Sequence, residues 1–479
     1  MFVSLQLAAV LAAGCGDSGG PPRLPEVSDI GGPKMAHPQL VPIFFSDDPD
    51  VAALTSYSQW IVTSSWLHAV GAEYGVGTGS VLGVVHKPAR APDTISDAEI
   101  ITSLFQGLAD GTLPQPAAGG LGEVIYVVNY PSHTVVTAGS ETSCVDFGGY
   151  HDSARRNGVE LAYAVIATCP TFRDDLDVVQ IREMVTSHEV IEAATDPFPS
   201  NHPGFRLRDP TGAWLALGGE VGDLCTRGDP TDVWHEASFV AQRSWSNTAA
   251  AAETDPCVPV PTTAPYFNVV TAETTLPRIP PGGHKMLELT GWATGATPDW
   301  QIFAQSGTPG DAVPTLGAKI LNDGKHTTLD ITVPMATATG TTLQLYVTSG
   351  YSATMYQLLP MIAIVGDACS TFTGCEACTS HAGCGFCTKT GRCEADDGSG
   401  SADSSCPASS FATWPGSCTG FCAGHSGSCT DCASQPGCGW CGAPGGAGQC
   451  MEAGRDYAHP VAGTCAYADW SFTPAYCPG

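Results

Sequence analysis

The segment TSHEVIEAATDP, residues 186–197, places His188, Glu189 and Glu192 close together, with Asp196 just beyond. Residues four apart lie above one another on an α-helix, so His188 and Glu192 can point at a common ion. Glu189 is one step round and could reach a water beside that ion as general base. A His followed by a Glu, with a second metal-capable group four residues on, is how a helix presents a catalytic metal and its base. The second position here is Glu192, where the HExxH motif has His. The competing reading is a helix end whose acidic groups make hydrogen bonds and whose His caps a core.

The helix that must carry these residues is legible. Ile181, Met184 and Val185 precede His188 by seven, four and three residues, so the polar group sits on an apolar stripe. Asp174, Asp175 and Asp177 suit the helix N-terminus, and Pro197 ends it with Asp196 near the last turn. Carboxylates on such a buried face need partners, and a cation would serve.

Around this helix, His37 to about Val258 reads as one mixed α/β domain. LVPIFF (40–45), EVIYVVNYP (123–131) and LAYAVIATC (161–169) are buried-strand candidates. Leu54–Tyr74 has helical spacing. Ser96–Leu108 is a second helix, with Ser96 and Glu99 as a capping box. WLALGGEVGDLC (214–225) and SFVAQRSWSN (238–247) close the domain. Cys144 with Cys169, and Cys225 with Cys257, are the favoured pairs by position.

The chain has 479 residues, enough for about three domains. Lys plus Arg number 19 against 47 Asp plus Glu, a net charge of −28. That argues against nucleic acid and against anionic lipid surfaces as partners. An apolar content of 43% argues against overall disorder.

Met1–Gly14 is apolar, rich in small residues and too short to span a bilayer, so it reads as a signal peptide. LAAGC resembles a bacterial lipoprotein box, with Cys15 lipidated after cleavage; an ordinary secretory signal is the alternative. Residues 15–37 then read as a flexible tether. No later segment is long and apolar enough for a transmembrane helix, so membrane contact is expected only through the anchor. Localisation is expected to be exported, either as a bacterial outer membrane or cell-surface lipoprotein or as an extracellular protein. Cysteine usage agrees: removing Cys15 from 21 leaves an even number for disulfide pairing.

After the Pro-rich linker VPVPTTAP (258–265), residues 261–366 look all-β, with YFNVVTAETTL, HKMLELTGWA, DWQIFAQ, TTLDITVP, TLQLYVTS and LLPMIAIV as strands. Their number and spacing suggest an immunoglobulin-like sandwich. Residues 367–419 and 420–479 are two copies of a repeat, each with eight cysteines, a CxxC, and then CGFC (384–387) or CGWC (438–441). So many cysteines over so little core make a disulfide scaffold rather than a zinc site or a redox motif. The spacing resembles the plexin–semaphorin–integrin (PSI) repeat, whose members serve as structural wedges or adhesion modules.

Residues 38–260 resemble the exordium/phosphate-induced protein family and its bacterial relatives. The resemblance rests on EYGVGTG (73–79), CVDFGGYH (144–151), YAVIATC (163–169), SHEVIEAATDP (187–197), GEVGDLC (219–225) and WSN (245–247). It implies a zincin-like α/β fold with no settled chemistry. Carried over by position, it makes His188 the first metal ligand, Glu192 the second and Glu189 the general base. The GEVGDLC loop supplies the third ligand, Glu220 in preference to Asp223, with His151 and His235 as outside candidates. A set of two carboxylates and one imidazole is harder than the usual zinc site, so Ca²⁺ stands beside Zn²⁺ as the expected ion.

Other chemistries fail on the residues. Ser187 and His188 are adjacent on a helix and point apart, no GxSxG elbow occurs, and GVGTGSVLG (75–83) lacks the GK[ST] of a phosphate loop. The expectation is a metal-dependent, peptidase-like hydrolase acting on a peptide. The alternative is a non-catalytic binding or adhesion protein with a cell-surface or extracellular ligand.

Overall fold

A computed structural model describes residues 24–479 apart from 117–121, 201, 209–213, 215–217, 227–231, 253, 261–265, 272–275, 353–354, 367, 397–400, 402–405, 408–409, 419, 436, 443–446, 454–459, 461–462, 467–468, 475–476 and 478–479; side chains are also not described at 208 and 351–356. The signal peptide and Cys15 lie outside the described residues. The chain is multidomain, mostly β-sheet with few helices, and its C-terminal part is dense in disulfides.

In chain order, the first domain contains β1 (Glu26–Asp29), β2 (Gln39–Phe45), α1 (Val51–Ile61), α2 (Ser65–Gly71), β3 (Ser80–Val81), β4 (Val85–Lys87), β5 (Thr94–Ser96) and α3 (Asp97–Asp110). Then come β6 (Val124–Tyr130), β7 (Val135–Ala138), β8 (Glu141–Thr142), β9 (Gly149–Arg156), β10 (Val159–Ala167), α4 (Val178–Thr195), β11 (Phe205–Arg208), β12 (Val233–Glu236) and β13 (Phe239–Gln242). The main sheet runs β3-β2-β6-β10-β9, with β4 also beside β2. Its pairings are parallel except β9 with β10, which is antiparallel and lies at the edge.

The apolar runs of β2, β6 and β10 are explained by cover on both faces. Leu40, Ile125, Val127, Ala162, Ala164 and Ile166 face a core shared with α1, α2 and α4. Val41, Ile43, Tyr126, Val128, Tyr163 and Val165 alternate with them and face α3. Helix α3 opens with the Ser96–Glu99 capping box. The helical run expected over Leu54–Tyr74 is instead two helices, because the Ser64 side chain caps α2 by accepting the Leu67 N–H at 3.0 Å.

The tether reading of residues 15–37 needs correction over the described part. β1 pairs antiparallel with β11, and the Ile30, Gly32 and Met35 amides donate to Gly204, Pro203 and Ala194 carbonyls. The Gly/Pro-rich composition hid this, because the partners lie far along the chain.

The second domain has two sheets. One takes the order Phe267–Thr271, His284–Ala293, His326–Thr332, Val313–Leu316. The other runs Arg278–Ile279, Met355–Val365, Thr342–Ser352, Trp300–Ser306, Ile320–Leu321. Their inward residues, among them Val269, Leu287, Leu289, Trp300, Ile302, Leu329, Ile331 and Leu345, are buried. All six expected strands are present, with three shorter ones between them among the described residues.

The two C-terminal repeats share one connectivity. In the first, Cys369–Cys384, Cys375–Cys418, Cys378–Cys393 and Cys387–Cys406 are bonded. In the second, the bonds are Cys422–Cys438, Cys429–Cys477, Cys432–Cys450 and Cys441–Cys465. Each copy thus joins its cysteines first to fourth, second to eighth, third to sixth and fifth to seventh. CGFC and CGWC are the central strands of small three-stranded sheets. Cys144–Cys169 and Cys225–Cys257 complete ten disulfides. This density belongs to an oxidising setting, at the cell surface or outside the cell. No helix among the described residues is long and apolar enough to cross a membrane.

Candidate metal centre

Helix α4 begins at a capping box. Asp177 accepts the Gln180 N–H at 2.9 Å, and Gln180 Oε1 accepts the Asp177 N–H at 3.0 Å. It stops at Asp196, before Pro197. From Ile181 to Thr195 every residue is buried except His188, whose side chain is 17% exposed. Beyond the first turn, an imidazole is therefore the point at which this helix meets the outside.

Three elements converge there: α4, the edge strand β9 with His151, and the turn at Glu220–Asp223. His188 Nε2 lies 3.1 Å from Glu192 Oε2 and 3.7 Å from Asp223 Oδ1. His151 Nδ1 lies 3.6 Å from both Glu189 Oε2 and Glu192 Oε2, and its Nε2 lies 3.6 Å from Glu220 Oε2. Glu220 is paired on its other side with Arg206 of β11 at 3.1 Å. Two groups have spacing suited to a metal ion, His188–Glu192–Asp223 and His151–Glu189–Glu192, and they share Glu192.

Outer hydrogen bonds orient the first group. The Gln242 side-chain Nε2 donates to the Gly222 carbonyl at 2.8 Å, which turns Oε1 toward His188 Nδ1 at 3.1 Å. His188 Nδ1–H must then donate to Gln242, as in the outer shell of many metal-binding histidines. Nε2 faces two acceptors, so the space between them suits a proton or a metal ion. Glu192 Oε1 accepts the Gly222 and Asp223 N–H groups at 3.1 and 3.0 Å, which leaves Oε2 for the histidines.

Two glycines permit these approaches. A Cβ at Gly222 would sit 2.7 Å from Glu192 Oε1 and 2.9 Å from His188 Nδ1. At Gly149 it would meet Val185 Cγ1 at 2.5 Å, so glycine lets β9 lie close over α4.

The field of the cluster calls for positive charge. Burial works against a charged imidazole, yet Glu192, Glu189 and Asp223 outweigh it and hold His188 well above the ordinary histidine range. Burial likewise opposes charge on His151, and Glu220, Glu189 and Glu192 overcome it. Burial and the Glu192 charge push Asp223 up to about 7. Burial also pushes Glu220 well up, against the pull of His151. Glu192 goes the other way: burial would raise it, but His188 and His151 hold it far below the carboxylate range. What favours protons on these imidazoles also favours a divalent cation among the carboxylates.

The expected residues therefore gather, but in two subsets. Asp223, not the preferred Glu220, stands beside His188 and Glu192; Glu220 faces His151 and Arg206. Glu189 faces His151. His235 is exposed on β12, paired across the hairpin with Val240 and outside both ligand groups. Arg182, on the same helix, is bound to Asp48 and Asp50 and does not neutralise Glu192. Ser187 Oγ donates to the Met184 carbonyl and accepts the Gln242 N–H, a structural role. A third metal-like group, Cys422, Cys438 and Cys450, consists of cysteines already committed to disulfides. Sequence reading missed Gln242 and Arg206. Neither belongs to a spaced motif, and both reach the site only through tertiary packing.

No protein-family model matches the chain, and a search of curated proteins finds no match. Among solved structures, domains 4 and 5 of the S-layer protein SbsC are 12% identical, covering 22% of this chain and 54% of that chain at a TM-score of 0.18. This chain thus spans about half the length of that structure. Domains 1–6 of the same protein are also 12% identical, covering 28% and 17% at 0.18. AvmM, described as catalysing macrocyclization in alchivemycin A biosynthesis, is 9% identical, covering 22% and 91% at 0.15. Matches with such TM-scores carry no argument about this chain.

Proposed function

We propose that the chain is an exported, metal-dependent hydrolase of peptidase type, with its ion held by His188, Glu192 and Asp223. The observation that carries this reading is the orientation of His188. Gln242 takes its outer nitrogen, so the inner one faces two carboxylates across a partly open position. One imidazole and two carboxylates fit zinc, and the oxygen-rich set also admits calcium. A bound zinc would supply Lewis-acid polarisation of the scissile carbonyl. The chain's own part is to fix the ligands, limit bulk water with the buried face of α4, and take the proton of the attacking water on Glu189.

The arrangement of a mostly parallel sheet, an antiparallel edge strand and an HE helix beneath it supports a zincin-like assignment. The shared cystine connectivity of residues 367–419 and 420–479 supports PSI-like modules, and an immunoglobulin-like spacer joins them to the first domain. In this reading Cys15 carries a lipid, and the modules set the hydrolase at the cell surface.

A second reading has its own observation. Glu192 Oε1 already accepts two backbone N–H groups, so a protonated His188 beside it could simply pin the Glu220–Asp223 turn of a non-catalytic binding protein. Metal analysis separates the two. The hydrolase reading expects about one tightly held zinc that Glu192→Ala abolishes, and peptide hydrolysis that Glu189→Gln abolishes while the tight ion stays. Equal metal content with and without Glu192, or hydrolysis unchanged in Glu189→Gln, would reject it.

A further inference from the structure

We propose that the same centre has a second cation position, between His151, Glu189 and Glu192, bridged to the first through Glu192. The inference rests on the hydrolase reading and extends it. His151 Nδ1 lies 3.6 Å from the nearest oxygens of Glu189 and Glu192. That is longer than the roughly 2.7–3.2 Å of an N–H···O hydrogen bond. It is near the roughly 3.4 Å edge of a tetrahedron whose metal–ligand arms are about 2.0–2.2 Å. Both separations thus match ligands around an ion more closely than hydrogen bonds, and the ligand atoms of the three residues all lie within 4.8 Å of one another.

An independent feature points the same way. The His151 side chain is 4% exposed, and its Nε2 is buried without a hydrogen-bond partner. That nitrogen faces Glu220 Oε2 at 3.6 Å, and Glu220 is anchored by Arg206. Glu220 thus stands behind this imidazole, on the side where metal-binding histidines carry an outer-shell carboxylate, but at a separation too long for a hydrogen bond. Three carboxylates face this one imidazole, and a divalent ion would offset their charge. Glu192 Oε2 faces both histidines, at 3.1 Å for His188 and 3.6 Å for His151, and is the natural bridge.

The two positions are unequal. They share one carboxylate and their ions repel, so the second fills after the first and more weakly. Its occupant also takes up Glu189, the carboxylate assigned to accept the proton. Excess metal would therefore suppress the hydrolysis that the first ion permits.

Zinc titrated into the metal-stripped full chain, followed by calorimetry and elemental analysis, tests this. The expected result is two zinc ions per chain in two steps. His151→Asn and Glu189→Gln should each remove the weaker step and keep the tighter. Two variants guard against one that misfolds, since Glu189→Gln is close to isosteric. One ion per chain in the wild type overturns the second position and leaves the hydrolase reading standing. No ion at all overturns both. Two ions retained in either variant also overturn the proposal, because the second would then sit elsewhere, as on the exposed His284–Asp330 or His326–Glu288 pairs.

Discussion

Gln242 Oε1 sits 3.1 Å from His188 Nδ1, and the same amide is locked by its Nε2 donating to the Gly222 carbonyl at 2.8 Å. One side chain thus sets the tautomer of the imidazole and the position of the turn carrying Asp223. Gln242→Leu removes both constraints while keeping the backbone N–H that Ser187 accepts. Loss of such an outer-shell partner typically lowers metal affinity about 10- to 100-fold. Competition with a chelator should show a fall of that size for the tight ion. Unchanged affinity would mean that Gln242 does not orient the ligand.

Gly222 makes the next prediction. Its missing Cβ is what lets the turn donate to Glu192, since an added methyl would come within 2.7 Å of Glu192 Oε1. Gly222→Ala must push the turn away from α4. Overpacking of this kind costs about 1–3 kcal/mol. Thermal unfolding should show that loss, and zinc affinity should fall with it. A variant that binds zinc like the wild type would show that Asp223 is not a ligand.

The turn is also held covalently. Asp223 opens the short 3₁₀ segment Asp223–Cys225, and Cys225 is bonded to Cys257, a buried residue on the strand at Cys257–Val258. A paired Cys225→Ser, Cys257→Ser variant keeps every proposed ligand but frees the turn. Removing a native disulfide typically costs about 2–5 kcal/mol. The expected outcome is a lower unfolding midpoint with weakened zinc binding. Lower stability with full zinc affinity would confine the disulfide to a structural role.

How much of this was legible in the sequence depended on range. The buried strands β2, β6 and β10 announced themselves through continuous apolar runs, and α4 through its capping acid, stripe and terminal proline. These are local signals. His188, Glu189 and Glu192 were readable because a helix converts spacing into direction. The ordering of Glu220 and Asp223 was not: they are three residues apart in a turn with no fixed period, and only packing decides that Asp223 meets His188 while Glu220 meets His151. Gln242 lies 54 residues from His188, and Arg206 pairs with Glu220 from a different strand. The strand at Glu26–Asp29 was hidden in the same way, since its partner is Phe205–Arg208.

Glu183 offers a test of the electrostatics of α4 away from the proposed ligands. It is buried, and its Oε2 accepts the Val240 N–H at 3.0 Å. Burial raises its pKa from 4.5 to about 7, more than that hydrogen bond lowers it. The folded state therefore holds this proton more tightly than the unfolded chain. Between pH 4.5 and 7 the unfolded chain loses it first, so Glu183's contribution to stability falls as pH rises through that window. The loss should be on the order of 3 kcal/mol once complete. Glu183→Gln keeps the shape and an acceptor for Val240 but cannot ionise. Urea midpoints of the full chain, followed by tryptophan fluorescence, should match or favour the wild type at pH 4 and favour the variant at pH 8. A difference between the two proteins that does not change with pH would show that Glu183 does not carry this burden.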